Sequence, residues 1–240
     1  GVLLIAVGVL VGIINISGVG ITFSQLIMEW SGNSLLIAII LIALASLILG
    51  MGLPVTASYV VLSVLSAPAL VGLMLSPEMA ALASAGIDLP EITMYLLSAH
   101  LIIFWLSQDS NLTPPVCLAA FAAAAIAKTP PMKTGLVAWK VGKGMYIIPL
   151  LFAFTPLITG TWFERFEIFG FAIFGIAAFA IVMEGDWDKK ISVLERMVFA
   201  VSVFLLLTPD SVFDVESYFG IVNNTHIIGM IIFVASMGLH

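Results

Sequence analysis

Charge is scarce in this sequence. Only 9% of its 240 residues are Asp, Glu, Lys or Arg, against about 25% in an ordinary soluble domain. With 62% hydrophobic residues and a mean hydropathy of +1.22, a water-soluble core of this length could not hide the apolar surface, so lipid is the surrounding solvent. Basic residues are the rarer sign: eight Lys and Arg against 14 Asp and Glu leave a net charge of −6, which argues against nucleic-acid binding. A single cysteine, Cys117, excludes an internal disulfide and a cysteine-rich metal site. In its Ala-rich run it reads as a small packing residue. No charged stretch precedes the first apolar run and no cleavage site follows it, so the start is not a signal peptide. The expectation is a piece of a longer protein. Soluble domains, low-complexity tracts and heptad repeats are also missing.

What is there is a series of apolar runs. About 20 apolar residues make a full crossing. The first run is Gly1 to about Ile16, continued by an amphipathic stretch to Trp30. Leu35–Leu49 and Val55–Leu75 follow, separated by Gly50-Met51-Gly52-Leu53-Pro54. Ile92–Leu106 is interrupted by Ser107–Pro115 and resumes as Val116–Ala127. Met145–Thr159, Ile168–Met183, Ile191–Leu207 and about Phe219–Leu239 complete the set, with Asn223, Asn224, Thr225 and His226 clustered near the start of the last. Trp139, Lys140 and Lys143 suggest a helix lying on the membrane surface. The division is 1–130 as a repeat, 131–160 as a surface connector helix and span, and 161–240 as further transmembrane helices.

Lys128, Lys133, Lys140 and Lys143 share one short segment without an acid, which the positive-inside rule makes cytoplasmic. Tracing from there puts Lys189 and Lys190 inside, and Glu78, Asp88, Glu91, Asp210, Asp214 and Glu216 outside. Residues 35–75 then start and end outside. Charge does not separate two full crossings from a re-entrant hairpin. The short first half and the uncharged Gly50–Ser58 stretch favour the hairpin.

The two interruptions carry the most information. Unpaired backbone groups are not tolerated in hydrocarbon unless protein, water or a ligand satisfies them. Each break leaves a carbonyl end suited to cations and an amide end suited to anions, the arrangement transporters use near the bilayer midplane. Gly50 and Gly52 permit unusual backbone angles, and Pro54 can open the returning helix. In the second break Gln108, Asp109, Ser110, Asn111 and Thr113 crowd before Pro114-Pro115, which end one helix and start another.

Here the sequence resembles a known family. Leu49–Tyr59 (LGMGLPVTASY) and Ala67–Leu70 (APAL) resemble consecutive motifs of the fused permeases of TAXI-type TRAP (tripartite ATP-independent periplasmic) transporters. So do Ala99-His100-Leu101, Thr113–Ala127 (TPPVCLAAFAAAAIA) and Pro131–Gly135 (PMKTG). The likeness covers about residues 1–160 in order; the last 80 carry no recognisable motif. It implies an all-α integral membrane protein of bacterial or archaeal inner membranes, one inverted-repeat half of an elevator-type transporter, with a re-entrant hairpin at 35–75 and a discontinuous helix at 92–127. It further implies import of a small organic anion, a dicarboxylate or related carboxylate, driven by Na+ or H+ and delivered by a periplasmic substrate-binding protein. The other repeat and its scaffold helices belong to the remaining part of the permease. The Ser107–Asn111 run is more polar than the family pattern.

Gly50, Gly52, Thr56, Ser110, Asn111 and Thr113, with the carbonyl ends of the two first half-helices, are the candidate cation ligands, since oxygen suits a hard cation such as Na+. Pro54, Thr56, Ser58, Asn111, Thr113, Pro114 and Pro115 are the candidate substrate contacts. Asp109 is the candidate coupling group: a carboxyl at this depth either carries a proton or sits ionised beside sodium, and such residues line ion paths. A hydrated position at the mouth of the cavity is the plainer reading. His100, nearly three turns earlier, reads as a packing hydrogen-bonder or a proton relay. No cofactor is called for. Enzyme classes lose their motifs: there is no Gly-x-Gly-Asp pair of membrane aspartates, no Gly-x-Ser-Gly with a histidine, no His-Glu-x-x-His. An ion channel or a non-transporting structural subunit remains as the alternative.

Overall fold

The computed structural model describes residues 1–87, 89–186, 189–208 and 225–239. The described residues are helical apart from turns and one isolated bridge between Asp186 and Lys190. Among the described residues four helical stretches are long and apolar enough to cross a membrane, Val55–Met74, Pro90–Asn111, Pro131–Phe154 and Trp162–Glu184, and a bent pair near the start makes a fifth if it counts as one span. The chain divides into two compact units, Gly1–Ala153 and Phe154–His240. Asp88, Asp210, Asp214, Glu216 and residues 219–224, used above for orientation and for the last span, lie outside the described residues.

The first unit opens with α1 (Val2–Ser17) and α2 (Val19–Ser31). These are not one continuous run: Gly18 adopts φ 72°, and the pair bends by 71°. Only glycine takes that left-handed backbone without strain. α3 (Leu35–Gly50) and α4 (Val55–Met74) form the two arms expected around Met51–Pro54. At about 1.5 Å per residue, α3's 16 residues reach about 24 Å and α4's 20 about 30 Å.

α4 is the centre of this unit, packed by α1, α2, α3 and, further on, α6. Its buried face is rich in small residues, including Ala57, Ser58, Ser63, Ser66, Ala67 and Ala69, which let helix backbones approach. Pro68 inside α4 removes the N–H that would bond the Val64 carbonyl. Gly20 of α2 packs beside that carbonyl. Ser24 donates to the neighbouring Leu65 carbonyl at 2.6 Å.

The stretch expected to be a plain outside loop contains α5 (Pro77–Ser84). Ser76 accepts from the Met79 amide, and Pro77 occupies the first helical position, the usual N-terminal chemistry. α6 (Pro90–Leu106) ends at the polar run, where Asp109–Asn111 makes a single 3-10 turn. α7 (Leu118–Ala127) resumes two residues later than expected.

α8 (Pro131–Gly142), a 3-10 turn (Lys143–Tyr146) and α9 (Ile147–Phe154) make one nearly continuous stretch. The tighter turn has a cause: Pro149 offers no N–H to the Met145 carbonyl, and Gly142 and Gly144 flank the place. The segment read from Trp139 and its lysines as a surface helix is thus part of a stretch long enough to span. Lys143 still sits 5.0 Å over the Trp139 ring.

Among the described residues the second unit has the helices α10 (Trp162–Glu184), α11 (Val193–Leu207) and α12 (Thr225–Leu239). Ala178, Ile181, Phe199, Leu206 and Phe233 form its core. α10 starts six residues before the hydropathic reading, because Thr161 and Glu164 form a capping box. Ser192 and Glu195 do the same for α11. Arg196 donates to the Val182 and Met183 carbonyls, placing a cation on the C-terminal end of α10, where the helix dipole favours it.

Candidate functional site

Gly50 is the last residue of α3, and Ser110 sits in the middle of the 3-10 turn that breaks α6 from α7. The two are in close contact: a Cβ built on Gly50 would collide with the Ser110 Cβ and Oγ. Both are buried. One turn before Gly50, Ser46 donates to the Leu106 carbonyl at 2.8 Å, wholly buried and 60 residues away in sequence. The two interrupted segments therefore meet along the final turns of α3 and α6, held by a glycine contact and one hydrogen bond.

The returning arm is tied to α6 as well. Tyr59 Oη lies 3.1 Å from His100 Nδ1, and the Tyr59 ring stands edge-on to Phe104 with centroids 5.5 Å apart. His100 thus has a partner across helices; Asp109 is not that partner.

The far side of the break is closed by the α8–α9 stretch. The Thr113 and Tyr146 hydroxyls are 3.0 Å apart. Gly135 packs on Cys117, Phe121 and Pro114, which explains the buried free cysteine as packing. Asp109 is 2% exposed, and its Oδ2 has no hydrogen-bond partner. It faces a gap bounded by Thr113, Trp139, Gly142 and Tyr146 that is too tight for a water molecule. Asp109 is therefore interior and not at a hydrated mouth.

The remaining candidates are distributed less simply. Ser58 is fully buried with an unpartnered Oγ. Gly52, Pro54 and Thr56 are exposed at the tip, and a Cβ on Gly52 would touch nothing within 4 Å. Asn111, Thr113 and Pro114 are half-buried and Pro115 exposed. No hydrogen bond joins the tip's side chains to those of the second break among the described residues.

The carbonyls offered above as cation ligands are partly engaged. Leu106 accepts from Ser46, Phe104 from the Ser107 hydroxyl, and Trp105 from the Gln108 amide. Within the break, the Asp109 carbonyl takes the Leu112 and Thr113 amides. On the amide side, neither α4 nor α7 has a side-chain cap, so no capping side chain takes up their first-turn N–H groups.

Sequence reasoning missed Ser46 and Tyr146. Ser46 had a signal: it is the single polar side chain in the Leu35–Gly50 run. Tyr146 had none, because its partner is 33 residues away.

This architecture defines the class: a multi-pass, all-α membrane protein with two interrupted helical segments packed against each other. The profile of the family described as "Tripartite ATP-independent periplasmic transporter, DctM component" matches residues 1–166, and the chain belongs to that family. It is the membrane permease component of a TRAP transporter, a family of transporter parts and not of enzymes. No curated protein and no solved structure matches the chain.

Proposed function

We propose that the chain forms one repeat of a TAXI-type permease in a bacterial or archaeal inner membrane. In this reading it imports a small carboxylate handed over by a periplasmic substrate-binding protein, in symport with Na+ or H+. The observation that carries it is the contact of Gly50 with Ser110. It supports a shared site, because two helix breaks that touch can satisfy each other's freed backbone groups and hold a ligand between them.

In this reading α3 to α4 is the re-entrant hairpin, α6 to α7 the discontinuous helix, and the pair moves as one body against scaffold helices from the rest of the permease. Neither segment contains a Lys or Arg. The uncapped N-termini of α4 and α7, aided by Ser58, Thr56, Asn111 and a co-bound cation, offset the substrate's charge. Gly50, Gly52, Ser110, Asn111 and Thr113 lie around the cation. Asp109, buried with a free carboxylate oxygen, decides which cation is used.

The test is uptake of labelled C4 dicarboxylates into vesicles holding the full-length permease and its binding protein, with imposed sodium or proton gradients. Saturable, gradient-driven uptake lost in Gly50→Val supports the proposal. Single-channel currents without saturable uptake would make the protein a channel, and uptake unchanged by substitutions at both breaks would leave it a structural subunit.

A further inference from the structure

We infer that a membrane phospholipid docks on the N-terminal end of α10, its phosphate on Arg165 and an acyl chain along Phe166 and Phe169. This inference is independent of the transport site and concerns the second unit.

The docking place is a groove of about 270 Å³ formed by Leu157, Trp162, Arg165, Phe166 and Phe169. Arg165 is held rigidly at its edge. Its Nε donates to the Gly160 carbonyl at 2.8 Å and one Nη to the Ile158 carbonyl at 2.7 Å. The Trp162 ring lies 5.2 Å from the guanidinium carbon. The other Nη bonds no described residue. The adjacent carboxylate does not neutralise the arginine, because Glu164 is turned to the Thr161 amide and hydroxyl at 2.6 and 2.8 Å. A preorganised guanidinium with a free N–H edge fits a phosphate oxygen.

Depth points the same way. α10 has 23 residues, about 34 Å of helix, so its first turn reaches the headgroup level when its apolar length fills a core about 30 Å thick. Trp162 at that level is the expected interfacial anchor. Below it, Phe166, Phe169 and Ile173 are 70%, 58% and 51% exposed. Their spacing of three and four residues puts them on one face, a track of about 10 Å for an acyl chain. A packed protein helix would match the aromatic track but would bury the free side of Arg165 without an acceptor, which is costly. A phospholipid satisfies both.

The experiment is native mass spectrometry of the full-length protein in detergent, titrated with dioleoyl phosphatidylethanolamine or with a phosphate-free dioleoyl galactolipid. The phospholipid binds wild type and the galactolipid does not compete. Arg165→Gln weakens the phospholipid about tenfold, the order of one charge-assisted hydrogen bond, and Arg165→Lys recovers part of it. Because Arg165 also holds two carbonyls, a second variant leaves it intact: Phe166→Ala with Phe169→Ala lowers retention several-fold, while Ile231→Ala, an exposed residue of α12, does not. Equal binding of the two lipids, competition by inorganic phosphate as effective as the lipid, or indifference to the double phenylalanine variant overturns the inference. So does a structure of the full-length protein with a polypeptide helix in the groove.

Discussion

Gly50 lies so close to Ser110 that no side chain fits between them. Two segments separated by 60 residues are thereby brought into contact at the places where each stops being a helix. The contact makes Gly50 different in kind from Gly52, two residues on, whose side is open.

Substitution should separate the two glycines. Gly50→Ala forces a methyl into Ser110, and overpacking of this sort costs about 1–3 kcal/mol. Gly52→Ala meets no obstacle. The thermal unfolding temperature of the purified protein should fall for the first and stay near wild type for the second. Ser110→Gly removes the obstructing Cβ and should restore Gly50→Ala in a double variant, a coupling of about 0.5–3 kcal/mol. Additive effects would mean the breaks are not in contact in the working protein.

Ser46→Ala removes a buried hydrogen bond that joins the last turns of α3 and α6. Cross-helix bonds in membrane proteins average about 0.6 kcal/mol and reach about 1.7, so a small drop in unfolding temperature is expected. The larger effect should be on uptake, because the Leu106 carbonyl loses its partner beside the break. A Ser46→Ala protein with a wild-type KM for substrate and cation would disconnect this bond from the site.

Tyr146→Phe and Thr113→Val each break the hydroxyl pair beside the break between α6 and α7. Made together they should cost no more than either alone, since the second removes nothing further. Unfolding and uptake measured across this cycle test it; independent losses argue that the hydroxyls have separate partners during transport.

Asp109→Asn distinguishes the two coupling ions. If a proton is carried, gradient-driven uptake stops while substrate exchange down its own gradient survives. If the ionised carboxylate sits beside sodium, sodium affinity drops and both activities weaken together. Driven uptake at wild-type rate across pH and sodium concentration would remove Asp109 from the coupling mechanism.

Both helix breaks were legible in the residues because their chemistry is local. Glycines and Pro54 interrupt one apolar run; six polar side chains and two prolines interrupt the other. Hydropathy also marked α3, α4, α6 and α11 to within about two residues. It misplaced the start of α10, since Glu164, Arg165 and Glu167 lower the local average. Yet the capping box Thr161-x-x-Glu164 was present in the letters and is a stronger boundary signal. The bend at Gly18 was missed for a different reason: one glycine among apolar residues has the same hydropathy whether the helix runs straight or turns.

Composition already implies that this chain lives in lipid and is helical, because hydrocarbon admits few backbone arrangements, and the order of its residues marks two of the interruptions. Which groups meet at those breaks was decided only in three dimensions. The Ser46–Leu106 and Thr113–Tyr146 bonds, the Gly50–Ser110 contact and the burial of Asp109 join segments far apart in sequence. Periodicity orients a residue on its own helix, but partners 33 or 60 residues away are chosen by how whole helices pack.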